Sequence, residues 1–197
     1  MLDILPRERL LMNLMDLMAN NDEVCTMKSG KYYFSKVMCR LLKSQAPMEK
    51  FYRRGGIKLG NNCLICSYIM TKEPFLLEIG DNVIISTNVS FVTHDRSPKI
   101  WNGWGDLYGR IKIGSNSFIG ENATILYGVE LPQNSLVAAG SVVTKSFSES
   151  YLVLAGNPAK VIGHWDGLKD KYHNKIVKRK DMIRRIKEND ESFLVYK

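Results

Sequence analysis

The chain has 197 residues, 45% of them apolar, and a formal charge of +8 at pH 7. That length suits one compact domain with extensions, and the apolar share is enough for a packed core. No apolar run approaches the roughly 20 residues needed to cross a bilayer, and the opening MLDILPRERL has no apolar signal core, so a soluble cytoplasmic protein is the expectation.

Leu10, Leu11, Leu14, Leu17 and Met18 lie at helical spacing and predict an amphipathic helix over residues 6–20, broken by Asn20-Asn21-Asp22. A second helix is predicted over about 33–44, with Phe34, Val37, Met38 and Leu41 on one face. Arg53-Arg54-Gly55-Gly56 reads as a basic turn that closes a helical N-terminal extension, residues 1–56.

From residue 57 the period changes. Ile113, Ile119, Ile125, Leu131, Val137 and Val143 recur every six residues, with Ser117, Ala123, Ser135 and Ser141 at a second fixed place. Six fits neither a helix nor an alternating strand, and it is the mark of a parallel β-helix. The register runs upstream through Leu59, Ile65, Ile79, Ile85 and Phe91, with a slip around 71–77 where Glu73-Pro74 marks a bulge. In such a coil the aliphatic residue points into a triangular prism, the next residue sits at a crowded corner, and Asn82, Asn88, Asn116, Asn122 and Asn134 suit corner turns with positive φ. The stack needs a cap at its open end, and the N-terminal helices are the candidate.

The period stops at Thr93-His94-Asp95. The stretch 95–110 is rich in Gly, Trp and polar residues, and counting hexads from 91 to 113 suggests that it replaces about one coil. A long irregular loop in a compact fold is usually functional. After Val143, Gly156-Asn157-Pro158 is a turn signal that ends the repeats, and residues 167–189 read as a basic helix marked by Leu168, Tyr172, Ile176, Ile183 and Ile186. The domains are thus 1–56, a repeat body at 57–163, and a basic helix and tail at 164–197.

Charge follows these boundaries. Residues 1–56 carry ten Lys/Arg against six Asp/Glu and residues 168–197 ten against five, while residues 57–167 carry eight against nine. A basic C-terminal helix is either a solvated face or a peripheral contact with an anionic membrane; no accompanying motif points to nucleic acid. Cys63-Leu-Ile-Cys66 has metal or redox spacing, but no second pair completes a zinc site, so both cysteines read as structural and no metal is expected.

The blocks 111–114 (IKIG), 119–123 (IGENA), Gly128-Val129, 139–145 (AGSVVTK) and 155–160 (AGNPAK) resemble the hexapeptide-repeat acyltransferases, over about residues 57–163. Among these the nearest in kind are the galactoside and maltose O-acetyltransferases and those of capsule and lipopolysaccharide assembly. The resemblance implies a mainly β fold, a left-handed parallel β-helix with an N-terminal α-helical cap and a C-terminal α-helix. It also implies acetyl-CoA as donor, a homotrimer with sites between prisms, and a catalytic histidine where a loop leaves the coil. His94 holds that place; His164 and His173 lie beyond the motif.

On that reading His94 is the general base that takes a proton from an attacking hydroxyl. Asp95 either orients the ring or anchors the loop, and Glu73 and Asp106 are further candidates for holding it. For CoA the resemblance points to Gly120, Ala139, Thr144, Lys145 and Lys160. Trp101, Trp104 and Asp106 form a mixed aromatic and polar surface suited to a sugar acceptor, or pack the loop onto a neighbouring copy. Residues 69–75 lack the asparagine-containing strand of galactoside enzymes, which weighs against galactoside or maltose as acceptor. The expected function is O-acetylation of a sugar or glycan intermediate, with N-acetylation of an amino sugar or serine acetylation as the alternative. A non-enzymatic scaffold is a third reading. A γ-type carbonic anhydrase on the same scaffold needs three histidines on zinc, and only His94 lies in the repeats.

Overall fold

A computed structural model describes residues 29–100 and 105–195. The helix expected at 6–20 and the tryptophans Trp101 and Trp104 lie outside the described residues.

The hexads form short parallel strands that stack into three faces of a prism. The first face carries β1 (Lys58–Leu59), β3 (Leu77–Ile79), β8 (Ile111–Ile113) and β11 (Glu130–Leu131). The second carries β2 (Leu64–Ile65), β4 (Ile84–Ile85), β9 (Phe118–Ile119) and β12 (Leu136–Val137). The third carries β5 (Ser90–Val92), β10 (Thr124–Leu126) and β13 (Val142–Val143). Every inward aliphatic of the repeat is buried, with Ile119, Ile125, Val137 and Val143 all at 0% exposure. Each such side chain contributes about 1.5–3 kcal/mol on leaving water.

Corners obey the expected sterics. Asn62, Asn82, Asn88, Asn116, Asn122 and Asn134 all take φ between 56° and 59°. Gly114 has no room for a side chain: a Cβ there would lie 2.3 Å from the Gln133 nitrogen in the next coil.

Strand register locates the irregularities. Lys112 pairs with Glu130, 18 residues on, as three hexads require. Lys58 pairs with Glu78, 20 residues on, because a 3-10 turn at Pro74–Leu76 adds two residues at the slip the sequence marks. Leu77 pairs directly with Ile111. The loop therefore replaces no coil, contrary to the hexad count. It is an insertion of 16 residues at the corner between the third and first faces. Within it β6 (His94–Asp95) pairs antiparallel with β7 (Leu107–Tyr108).

Two helices close the first coil: α1 (Ser29–Leu42) and α2 (Ala46–Arg54). The second is a helix that reaches into Arg53-Arg54, where the sequence predicts only a basic turn. Pro47 is its second residue, which suits a first turn, and it buries Met48, Phe51 and Tyr52 in the same core as the coils. Its polar side chains satisfy backbone groups that have no coil beyond them. Tyr52 Oη donates to the Ser67 carbonyl (2.7 Å) and accepts from Ile69 N–H (3.2 Å). Glu49 accepts from Cys63 N–H at 2.9 Å, and Arg53 donates to the carbonyls of Leu59 and Gly60. The cap is thus both apolar plug and hydrogen-bond partner for an edge that is otherwise open.

At the other end β14 (Leu152–Gly156) continues the second face, and β15 (Ala159–His164) folds back on it antiparallel around Asn157-Pro158. The helix expected over 167–189 is two: α3 (Trp165–Tyr172) and α4 (Arg179–Lys187), separated by a 3-10 turn and by extended backbone at Ile176. Neither helix buries a residue, and Ile176, Ile183 and Ile186 are exposed, so apolar spacing alone did not dock this segment. Among the described residues no helix is long and apolar enough to cross a membrane.

Candidate active site

His94 sits where the chain leaves the third face. Its Nδ1 lies 2.9 Å from Glu73 Oε2, and the two side chains are only 24% and 14% exposed. The 3-10 turn that lengthens the first coil carries Glu73 to this corner. The same carboxylate oxygen accepts from the buried Thr93 hydroxyl at 2.7 Å. Burial pushes the Glu73 carboxyl up, but the Thr93 and His94 hydrogen bonds outweigh it and leave it below its ordinary value. An ionised carboxylate accepts only, so the neutral ring carries its proton on Nδ1 and keeps a lone pair on Nε2. That is the state of a general base.

Asp95 does not hold the ring. Neighbours on a strand point apart, and its oxygens go to Ser97 N–H (2.8 Å) and the Tyr127 hydroxyl (3.3 Å). It anchors the loop to the coil above, and these hydrogen bonds, chiefly the Ser97 N–H, lower its carboxyl from the usual value. Asp106 is also placed differently from a residue open to an acceptor. Its side chain is 6% exposed and ion-paired with Arg96 and Lys99, both at 3.2 Å. Tyr108 stands opposite His94 across the β6–β7 pair, ring centroids 5.8 Å apart, and was not singled out in the sequence. The antiparallel pairing that brings it there has no hexad signature.

The residues expected to meet CoA divide between two corners. Continuing the register of β5, β10 and β13 places Thr144 and Lys145, both exposed, at the His94 corner two coils along, about 10 Å at ordinary strand spacing. Gly120 and Ala139 lie at the corner between the second and third faces. A Cβ on Gly120 would meet the Ala139 nitrogen at 2.5 Å, so coil packing by itself requires that glycine. Lys160 is exposed on β15, beside the second face.

A shallow groove of about 690 Å³ on the outside of the first face is lined by Lys58, Glu78, Lys112 and Glu130, away from His94. These form a ladder of ion pairs, Lys58–Glu78 at 2.9 Å and Lys112–Glu130 at 2.7 Å. Cys63 is buried with its Sγ 3.2 Å from the Gly80 carbonyl, and burial pushes its thiol up, away from thiolate chemistry.

Residues 110–145 match the family model described as hexapeptide repeat of succinyl-transferase. The chain is 35% identical to Protein CapG of Staphylococcus aureus over 167 residues, 79% of this chain and 91% of that protein. It is 34% identical to the galactoside O-acetyltransferase of Escherichia coli (strain K12) over 119 residues, 59% of this chain and 58% of that enzyme. A maltose O-acetyltransferase from Clostridium difficile 630 superimposes with a TM-score of 0.50 at 23% identity, covering 68% of this chain and 86% of that one. A hexapeptide-repeat acetyltransferase from Vibrio cholerae, solved with acetyl coenzyme A, covers 81% and 90% with a TM-score of 0.50 at 19% identity. With its stacked hexad coils and a relative matched over nine-tenths of its length, this chain belongs to the hexapeptide-repeat acetyltransferase family and is an acyltransferase.

Proposed function

We propose that the chain transfers an acetyl group from acetyl-CoA to a hydroxyl of a sugar or glycan intermediate, with His94 as general base. The observation that carries this reading is the Glu73–His94 pair, which fixes the proton on Nδ1 and leaves Nε2 to accept one. As the hydroxyl attacks the thioester carbonyl, Nε2 takes its proton and the C–O bond forms. The tetrahedral oxyanion then collapses, the C–S bond breaks, and the departing thiolate takes the proton back from the imidazolium. The Glu73 carboxylate stabilises that imidazolium while it exists.

The donor fits what the chain presents. Exposed Lys145 stands along the corner from His94 as a point charge for phosphate. Gly120 and Ala139, at another corner of the same prism, reach the same donor only if a second copy supplies them. That division supports a homotrimer with sites between prisms, wound left-handed as the resemblance implies. The outer side of the second face supports it too: Leu64, Ile84, Phe118 and Leu136 line up in register, and Leu64 and Ile84 are 38% and 40% exposed.

Thiol release from acetyl-CoA, followed with a panel of sugar alcohols and amino sugars, tests the reading and separates O- from N-acetylation. His94→Ala is expected to abolish release with the accepted acceptor. Unchanged release in that variant refutes the base.

A further inference from the structure

The Glu73–His94 pair rests on two threonines from neighbouring coils. Thr71 Oγ1 and Thr93 Oγ1 are 2.7 Å apart, Thr93 Oγ1 is 2.7 Å from Glu73 Oε2, and Glu73 N–H points back to Thr71 Oγ1 at 3.2 Å. These three contacts form a closed circuit, with His94 attached to it at Glu73 Oε2, and chemistry decides its direction. The Glu73 amide can only donate and its carboxylate can only accept. Thr71 therefore accepts from the Glu73 amide and gives its proton to Thr93, and Thr93 gives its proton to the carboxylate. Neither hydroxyl is left free to rotate.

The circuit is a product of stacking. Thr71 and Thr93 lie 22 residues apart, two more than the 20-residue register of the first two faces, and Ser67 reaches across in the same way to accept from Val89 N–H at 2.8 Å. That offset puts Thr71 under Thr93, while the 3-10 turn after Thr71 brings Glu73 round to the same corner. Thr93 is 2% exposed, so water does not compete for its hydroxyl.

We propose that Thr71 and Thr93 are positioning residues of the reaction: through the Glu73 carboxylate they hold His94 in the Nδ1–H tautomer that leaves Nε2 basic. This rests on the general-base reading above, and the two can fail separately. Neither threonine is argued to touch the acceptor or the thioester.

The test uses the full-length protein, selectively ¹⁵N-labelled in histidine, at a pH where the ring is neutral. Long-range ¹H–¹⁵N correlation spectra distinguish the tautomers, with His94→Gln to assign the signal. Wild type is expected to show Nδ1–H alone, Thr71→Val and Thr93→Val a mixture, and the serine variants at both positions a return to Nδ1–H. In thiol release, each valine variant should lower kcat about tenfold, the worth of one ordinary hydrogen bond, with KM for acetyl-CoA unchanged. In a Glu73→Gln background the valine change should add little, since the threonines act through that carboxylate. Valine variants with an undisturbed tautomer, or an effect undiminished beside Glu73→Gln, overturn the proposal. A wild-type ring protonated on Nε2 overturns the general-base reading itself.

Discussion

Replacing Glu73 with glutamine keeps the size of the side chain and removes its charge. The native carboxylate lies 2.9 Å from Nδ1 of a ring that becomes cationic when Nε2 takes a proton. Two unit charges about 4 Å apart attract by about 4 kcal/mol at an effective dielectric near 20. The ring is 24% exposed and the carboxylate 14%, so solvent screens part of this, and the surviving difference corresponds to roughly a hundredfold in kcat. The amide can also turn its NH2 toward Nδ1, which moves the ring proton to Nε2 and removes the base altogether. The assay is steady-state thiol release at saturating acetyl-CoA, with a thermal melt to show that the variant is folded. KM for acetyl-CoA should stay near wild type, because Glu73 faces the ring and the threonines. A Glu73→Gln enzyme within about threefold of wild type in kcat, beside an inactive His94→Ala, refutes the electrostatic argument.

The same carboxylate gives stability a pH dependence. Burial raises the Glu73 value, the Thr93 and His94 bonds lower it further than burial raises it, and the folded value lies under the ordinary 4.5. Its contribution is thus present above that range and lost as pH falls through the folded value; urea midpoints should drop on acidification, and drop less in Glu73→Gln. Gly114→Ala forces a methyl against the Gln133 backbone and should cost about 1–3 kcal/mol. That lowers the melting temperature by several degrees, whereas Gly163→Ala, with open space at its Cβ, should melt like wild type. Asp95→Ala releases the Ser97 and Tyr127 contacts, so limited proteolysis within 96–110 should speed up while the His94 tautomer stays as in wild type.

The coils were legible because each inward position is filled by one chemical type at a fixed interval, and asparagine at the corners announces the backbone it must adopt. Glu73 could be named as a candidate partner of His94 from its bulge, but not chosen, since the choice depends on how two coils of unequal length stack. Thr71 and Thr93 carried no signal for the same reason: their 22-residue separation matches no multiple of six. The helix α2 was hidden because its basic C-terminal turn, Arg53-Arg54-Gly55, has the composition of a loop, while what stabilises it is the coil edge it covers. The C-terminal helices misled in the opposite direction, with good spacing but little in the described fold to pack against.

The arm between Thr93 and Gly109 begins and ends at one corner, where the Gly109 amide donates to the Thr93 carbonyl at 3.1 Å. Strands below and above it pair as though it were absent. The arm is therefore a detachable module: its length and sequence can drift or be exchanged while the prism keeps its register. In such a design the loop and the scaffold can evolve independently, and a swap between residues 95 and 108 is the natural graft for moving one without the other.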